Sequence, residues 1–281
     1  MNILVTGGLG FIGSALSRRL AKRGYNVDII DNGIIGREAR FVKGAVFYMR
    51  DIRSIDKFRT KEYKYIFHLA ALSRIQPSFE DPGRTHSVNT TGTIKVAEYA
   101  AMVGAKLIYA GSSSRHHNPL LSPYALTKHM GEEWIKMSKD VYGLNAEIVR
   151  FYNVYGPGEL VHSDMAAVIG IFRKQYEANQ PLTIYGDGEQ RRDFTHIDDI
   201  VDGLIRIAES DEKHEDAWEL GTGKNYSIKE VAHMFNTNIV YLPDVKGNYR
   251  ETIRINNDAV ERLGWQPTDS LKQYINSLIR K

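Results

Sequence analysis

The chain has 281 residues, 42% of them hydrophobic and 25% charged, with a net charge of +3 and no cysteine. That balance describes a soluble globular protein, one large domain or two sharing a core, and excludes disulfides, thiolate catalysis and cysteine-built metal sites. No apolar run approaches the roughly 18 residues of a membrane span, no basic leader precedes the first strand, and no basic stripe carries interleaved aromatics. A cytoplasmic protein with no membrane or nucleic-acid partner is expected.

The apolar run NILVT (2–6) reads as a first strand. TGGLGFIG (6–13) follows, then apolar residues at helical spacing that Gly24 closes. NVDIID (26–31), AVFYMRD (45–51) and YKYIFHLAA (63–71) read as the next three strands, and His68 within the last of them reads as packing. VNTTGTIKVAEYAAMVG (88–104) is an amphipathic helix ended by Gly104, AKLIYAGSS (105–113) a fifth strand and AEIVRFYNVYG (146–156) a sixth. Strands apolar along nearly their whole length, alternating with helices, imply a parallel sheet buried on both faces. Right-handed crossovers make it a doubly wound α/β (Rossmann) sheet. Beyond residue 156 the pattern is mixed: AAVIGIFRKQYEA reads as a helix, LTIYG as a strand and HIDDIVDGLIRIAES as a helix. SIKE (227–230) has the form of a capping box.

Gly7, Gly10 and Gly13 lie between a strand and a helix, and Asp31 closes the next strand, which is the context a dinucleotide site requires. Gly7 permits the turn, Gly10 lets the backbone approach a pyrophosphate, and Gly13 lets the helix pack closely, so that its first N–H groups face the phosphates. Asp31 would accept hydrogen bonds from both adenosine-ribose hydroxyls and repel a 2′-phosphate, which predicts NAD over NADP.

A second constellation lies in GSSSRHHNPLLSPYALTK (111–128). Ser122 suits an N-cap, Pro123 a first helical residue and Gly143 the far end, so Tyr124 and Lys128 stand one turn apart on one face. Among sixteen tyrosines this is the only one with lysine four positions on. A phenol of pKa about 10 is a poor base at neutral pH, but a nearby ammonium and an oxidised nicotinamide favour the phenolate. Lowering that pKa by about three units takes roughly 4 kcal/mol. Lys128 would also hold the nicotinamide ribose, and Ser112 could donate to the same sugar oxygen as Tyr124. His116 and His117 lack a His-Glu-x-x-His pattern and a third ligand, so no metal is expected.

TGGLGFIG, HLAA (68–71), VNTTGT (88–93), YALTK, RFYNVYGPG, LTIYGDGEQRRDFTHIDDIVDG and ERLGWQP resemble, in order, the landmarks of the extended short-chain dehydrogenase/reductase family, whose best-known members are nucleotide-sugar epimerases and dehydratases. The resemblance runs along almost the whole chain. It implies cofactor contacts at Phe11 and Ile12 beside the glycines, Asn32 beside Asp31, Asp51 and Ile52 around the adenine, and Leu69, Ala70 and Ala71 on the nicotinamide side. Asn89 and Phe151 are implied as further cofactor contacts. It places the family's serine on Ser112, with Ser114 as the alternative, and implies substrate contacts at Ser73, Ser112, Ser114, Asn153, Ala167, Val168, Tyr185 and Arg192.

Arg192 suits a diphosphate or could pair with Asp193 or Asp199, and Tyr185 could cover a nucleobase or belong to the core. Lys246 and Arg250 are alternatives for a second diphosphate contact. Ser113 and Ser114 stand where the dehydratases carry acidic residues. The implied reaction is therefore C4 epimerisation of a nucleotide sugar, a UDP-hexose favoured, with NAD as a resident catalyst. A 4-ketoreductase, a 4,6-dehydratase and a non-catalytic NAD-binding protein are the alternatives. Two departures from the family are a short segment between Ser112 and Tyr124 and His116 in place of a tyrosine. The implied organisation is a Rossmann domain at 1–156, with 191–222 returning to it, and a smaller mixed α/β domain at 157–190 and 223–281. A homodimer through the Tyr124 helix is also implied.

Overall fold

The computed structural model describes residues 1–34, 41–58, 61–162, 165–268 and 270–279. The chain begins with β1 (Asn2–Thr6), α1 (Phe11–Lys22), β2 (Asn26–Asp31), β3 (Ala45–Met49), β4 (Tyr65–His68) and α2 (Ile75–Glu80). It continues with α3 (Pro82–His86), α4 (Gly92–Met102), β5 (Lys106–Ala110), α5 (Pro123–Tyr142) and β6 (Ala146–Phe151). Next come β7 (Val154–Tyr155), α6 (Val168–Glu177), β8 (Leu182–Tyr185), β9 (Arg191–Asp193), β10 (Thr195–His196), α7 (Ile197–Glu209) and β11 (Trp218–Leu220). The last elements are β12 (Asn225–Ser227), α8 (Ile228–His233), β13 (Ile239–Leu242), β14 (Glu251–Thr252), α9 (Asp258–Leu263) and α10 (Leu271–Ile279). Two compact units result: Met1–Arg150 with Val201–Trp218, and Phe151–Ile200 with Glu219–Lys281.

The first unit is built on the sheet ordered β11-β6-β5-β4-β1-β2-β3, in which the ladders from β3 through β6 are parallel. Ile3, Leu4, Ile66, Phe67, Leu107 and Ile108 are fully buried, so these strands need cover on both faces, and crossover helices supply it. Removing such side chains from water stabilises the fold by roughly 1.5–3 kcal/mol each. The strand order reverses between β1 and β4, with Thr6 opposite both Ile30 and His68. In a parallel sheet the carboxyl ends of the strands share one edge, so the loops after β1 and β4 diverge there and leave a crevice.

Helix α5 starts and stops as its sequence predicts. The Ser122 hydroxyl accepts the Ala125 N–H at 3.1 Å, Pro123 opens the first turn, and Gly143 ends the helix at φ +67°. Two expectations change. The sixth strand stops at Phe151, because Val154–Tyr155 pairs in parallel with Thr195–His196. The returning segment is Val201–Trp218 and does not begin at 191, because β9 sits between β12 and β14 in a separate sheet.

The second unit gathers Tyr155, Phe172, Leu182, Ile184, Phe235 and Leu271 into its own core. The expected capping box forms there: the Ser227 hydroxyl accepts the Glu230 N–H at 3.0 Å and the Glu230 carboxylate accepts the Ser227 N–H at 2.6 Å. Among the described residues, no helix is long and apolar enough to cross a membrane.

Candidate active site

The glycines after β1 shape the crevice. Gly7 has φ +73°, and a Cβ there would lie 2.7 Å from the Ala70 backbone; one on Gly13 would lie 2.1 Å from the Gly7 carbonyl oxygen. Helix α1 is therefore pressed against the turn as tightly as backbone allows. Its N-cap, Gly10, is extended and offers no side-chain cap, so the positive end of the helix stays open to an anion.

At the end of β2, Asp31 accepts the N–H of Leu9 at 3.0 Å and of Gly33 at 2.8 Å, which aims its carboxylate at the glycine turn. The crevice is lined by Gly7, Gly10, Asp31, Asn32, Asp51, Ile52, Leu69, Ala70 and Ala71. It is also lined by Ile34, Arg50, Leu72 and Val88, which the sequence reading did not name. Asp51 caps a short 3-10 turn and binds the Arg53 guanidinium at 2.7 Å; that hydrogen bond holds its carboxyl below the usual range. A backbone cradle, an open helix N-terminus and a carboxylate at the end of β2 fit a dinucleotide.

Phe11 and Ile12 form the half-buried first turn of α1. Asn89 does not line the crevice. It is 1% exposed, accepts the Leu72 N–H at 2.8 Å, and donates to the Leu72 carbonyl at 3.0 Å and to Thr127 at 3.2 Å. It thereby fixes the backbone of Leu72, which lines the crevice. Phe151 is half-buried at the end of β6, where the second unit begins. Ser73 is exposed.

On α5, the Tyr124 hydroxyl donates to the Ser112 hydroxyl at 3.2 Å. Ser114 is buried, and both its N–H (3.2 Å) and its hydroxyl (2.9 Å) donate to Ser112, so it orients Ser112 from behind. Lys128 donates to the Ala110 carbonyl and stands 4.5 Å over the Tyr109 ring. Burial pushes the Lys128 ammonium down to about 8 and the Tyr124 phenol up; the Ser112 hydrogen bond and the Arg74 guanidinium pull the phenol back. His68 bridges Thr6 at 2.8 Å and Thr93 at 3.0 Å, and burial pushes it down to about 3, so it is a neutral packing residue.

The residues that hold this centre were not identified from sequence. Glu132, fully buried one turn past Lys128, accepts the Ser112 N–H at 3.1 Å and pairs with buried Arg150 at 2.8 Å. Arg150 also binds Asp216 at 2.8 and 2.9 Å. The available signal was the continued spacing Tyr124, Lys128, Glu132, each four apart on one helix face.

In the second unit, Asn153 donates to the Asp193 carbonyl at 3.1 Å, Ala167 is the N-cap of α6 and Val168 its first residue. Tyr185 ends β8 and is 44% exposed, so it is not a core residue. Arg192 is partly buried on β9 and donates to the Arg191 carbonyl at 2.8 Å. Asp193 is occupied by Thr222, Gly223 and the Arg254 N–H, and Asp199 by Thr268. Among the described residues no carboxylate pairs with Arg192, and burial pushes it down to about 10. Lys246 is exposed, and exposed Arg250 binds Asp187 at 3.0 Å.

Comparison with known proteins agrees with this geometry. The profile of the NAD dependent epimerase/dehydratase family matches residues 3–221. A protein of Methanocaldococcus jannaschii provisionally named a UDP-glucose 4-epimerase is 33% identical, over 99% of this chain and 97% of that protein. The UDP-glucose 4-epimerase of Mycolicibacterium smegmatis is 32% identical over 98% of this chain and 96% of its own length. The crystal structure of a Thermotoga maritima UDP-glucose 4-epimerase with UDP-glucose superposes with a TM-score of 0.91 at 28% identity, covering 100% of this chain and 98% of that one.

Proposed function

The chain belongs to the NAD-dependent epimerase/dehydratase family, and from that premise we propose that it inverts C4 of a nucleotide sugar, a UDP-hexose, with Tyr124 as the group that moves the proton. The observation that carries this reading is the Tyr124–Ser112 hydrogen bond of 3.2 Å, in the same unit as a crevice that fits NAD. Gly7, Gly10 and the first turn of α1 would hold the pyrophosphate and Asp31 the adenosine ribose, and bound NAD supplies the acceptor and donor of hydride.

The protein's own part is proton transfer. Ser112 donates to the sugar oxygen, and the Tyr124 phenolate takes the C4 hydroxyl proton as the C4–H bond breaks and the carbonyl forms. The same phenol returns the proton once the ketone is reduced from its other face. Elimination needs an acid and a base at the neighbouring carbons. Ser113 and Ser114 supply neither, and the Ser114 hydroxyl is turned to Ser112, which favours epimerisation over 4,6-dehydration. Arg192, with no carboxylate partner among the described residues, is the group to bind the diphosphate. A homodimer through α5 is part of this reading, supported by exposed Leu126, Met130, Val141 and Tyr142 along that helix.

The test is incubation with NAD and a panel of UDP-, GDP- and dTDP-sugars, with products read by NMR. Interconversion of C4 epimers without net change in nicotinamide absorbance is expected; stoichiometric consumption of reduced cofactor would mark a 4-ketoreductase instead. Tyr124→Phe should lower turnover by about 10²–10⁴-fold with NAD affinity retained. Undiminished turnover in that variant overturns the proposal.

A further inference from the structure

We propose that Ser78, on α2, is a positioning residue for Tyr124: its hydroxyl fixes the turn of α5 that carries the phenol, and with it the reach of that phenol to Ser112. The inference rests on Tyr124 being the proton acceptor and adds a residue outside the Tyr/Lys/Ser set. Tyr124 is the second residue of α5. The N–H groups of a helix's first turn have no partner within the helix, and helix ends fray. A catalytic side chain placed there needs a hold from outside. Ser122 supplies one only to the N–H of Ala125, at 3.1 Å. The Tyr124 N–H donates instead to the Ser78 hydroxyl, at 3.1 Å, from one helix to another. Ser78 is buried and its own proton goes to the Ile75 carbonyl at 2.6 Å, so a lone pair is left to face the Tyr124 N–H.

The other side of the same residue is held as well. The buried Thr127 hydroxyl donates to the Tyr124 carbonyl at 3.0 Å and accepts the Asn89 amide at 3.2 Å. Asn89 in turn is bonded to both the N–H and the carbonyl of Leu72, which lines the cofactor crevice just ahead of α2. Residues 72–78 therefore grip Tyr124 at its N–H through Ser78 and at its carbonyl through Asn89 and Thr127. One piece of chain sets both the crevice wall and the phenol. The Tyr124–Ser112 hydrogen bond, at 3.2 Å, is already long for a pair of hydroxyls, so a small rotation of the first turn breaks it. Misplacing a catalytic group by about 1 Å costs about 100-fold in rate. Ser78 touches no reacting atom and acts only through Tyr124.

The test measures kcat, KM and NAD affinity, with the sugar that the panel identifies, in wild type, Ser78→Ala and Thr127→Val. Ser227→Ala is the control, because it removes a like serine cap from α8 in the second unit. Unfolding midpoints establish that each variant is folded at the assay temperature. Ser78→Ala should lower kcat by about 10–100-fold, with KM and NAD affinity little changed. Thr127→Val should lower kcat by a smaller factor, and Ser227→Ala should leave it as in wild type. In ligand-free protein with isotope-labelled tyrosine, NMR identifies the Tyr124 amide by its absence from Tyr124→Phe. That amide should exchange with solvent about tenfold faster in Ser78→Ala, and at the wild-type rate in Ser227→Ala. A folded Ser78→Ala with wild-type kcat overturns the proposal, and so does a loss of kcat that Ser227→Ala reproduces. Should Ser78→Ala fail to fold, Thr127→Val decides, with unchanged kcat again overturning the proposal. A faster Tyr124 amide in a protein that turns over no sugar in the panel leaves the hold by Ser78 standing and removes the epimerase reading.

Discussion

A buried ion-pair network in the first unit contrasts with two buried charges in the second. In the first, one set of buried ionised groups is paired within the protein: Glu132 with Arg150, Arg150 also with Asp216, and Asp28 with Lys61 at 2.9 Å and Tyr63 at 2.6 Å. In the second, Arg192 has no carboxylate partner among the described residues. Among the described residues, buried Glu159 has only the Tyr274 hydroxyl, at 2.7 Å, on one oxygen and no hydrogen-bond partner on the other. Paired burial maintains architecture, because removing one partner strands the other. Unpaired burial costs stability, and a fold retains it where something else claims the charge. Two kinds of buried charge therefore answer differently to the same kind of substitution.

The largest expected difference lies at Glu132. Glu132→Ala strips Arg150 of one partner and leaves the Ser112 N–H unsatisfied, which should cost about 3–5 kcal/mol by chemical denaturation. A loss below about 1 kcal/mol would show that the network is not structural.

Glu159 should behave in the reverse sense. Burial pushes its carboxyl up to about 7 from 4.5, against the Tyr274 hydrogen bond and the charge of Arg173. Because the folded state holds this proton more tightly than the unfolded chain, its stabilisation is complete below about pH 4.5 and lost as pH rises through about 7. Glu159→Gln mimics the protonated form. It should remove that slope and be the more stable protein above pH 7, by up to about 3 kcal/mol. Identical denaturation curves for the two proteins on both sides of this window would refute the assignment.

What the sequence disclosed depended on how local each feature is. The glycine turn, the acid closing β2, the capping of α5 and the Tyr124/Lys128 spacing are set within a few residues, and the structure puts them where the patterns predicted. Glu132 and Arg150 meet across 18 positions, and Arg150 and Asp216 across 66, so nothing in either segment announces the partner. Asn89 shows a role that sequence does not disclose: its amide fixes the backbone of Leu72, which is visible only once two helices and a loop are assembled. Lys246 and Arg250 are indistinguishable by charge in the sequence, and the pairing of Arg250 with Asp187 is formed across 63 positions.

Arg192 sharpens the comparison most finely, because its removal should separate binding from stability. Its guanidinium is held by the Arg191 carbonyl and acted on by Tyr249, with its pKa near 10, so it stays charged at neutral pH. Charge-assisted hydrogen bonds contribute about 1.5–3 kcal/mol, so Arg192→Met should weaken the binding of UDP by roughly 10–100-fold in calorimetry and leave NAD affinity unchanged. Arg192→Lys should recover only part, since an ammonium lacks the bidentate fork. The same Met substitution should leave thermal stability unchanged or raised, as it deletes a desolvated charge that no carboxylate compensates. If Arg192→Met instead lowers stability as Glu132→Ala does and UDP binds as before, the guanidinium belongs to the architecture, and the distinction between the two units' buried charges fails at its most exposed point.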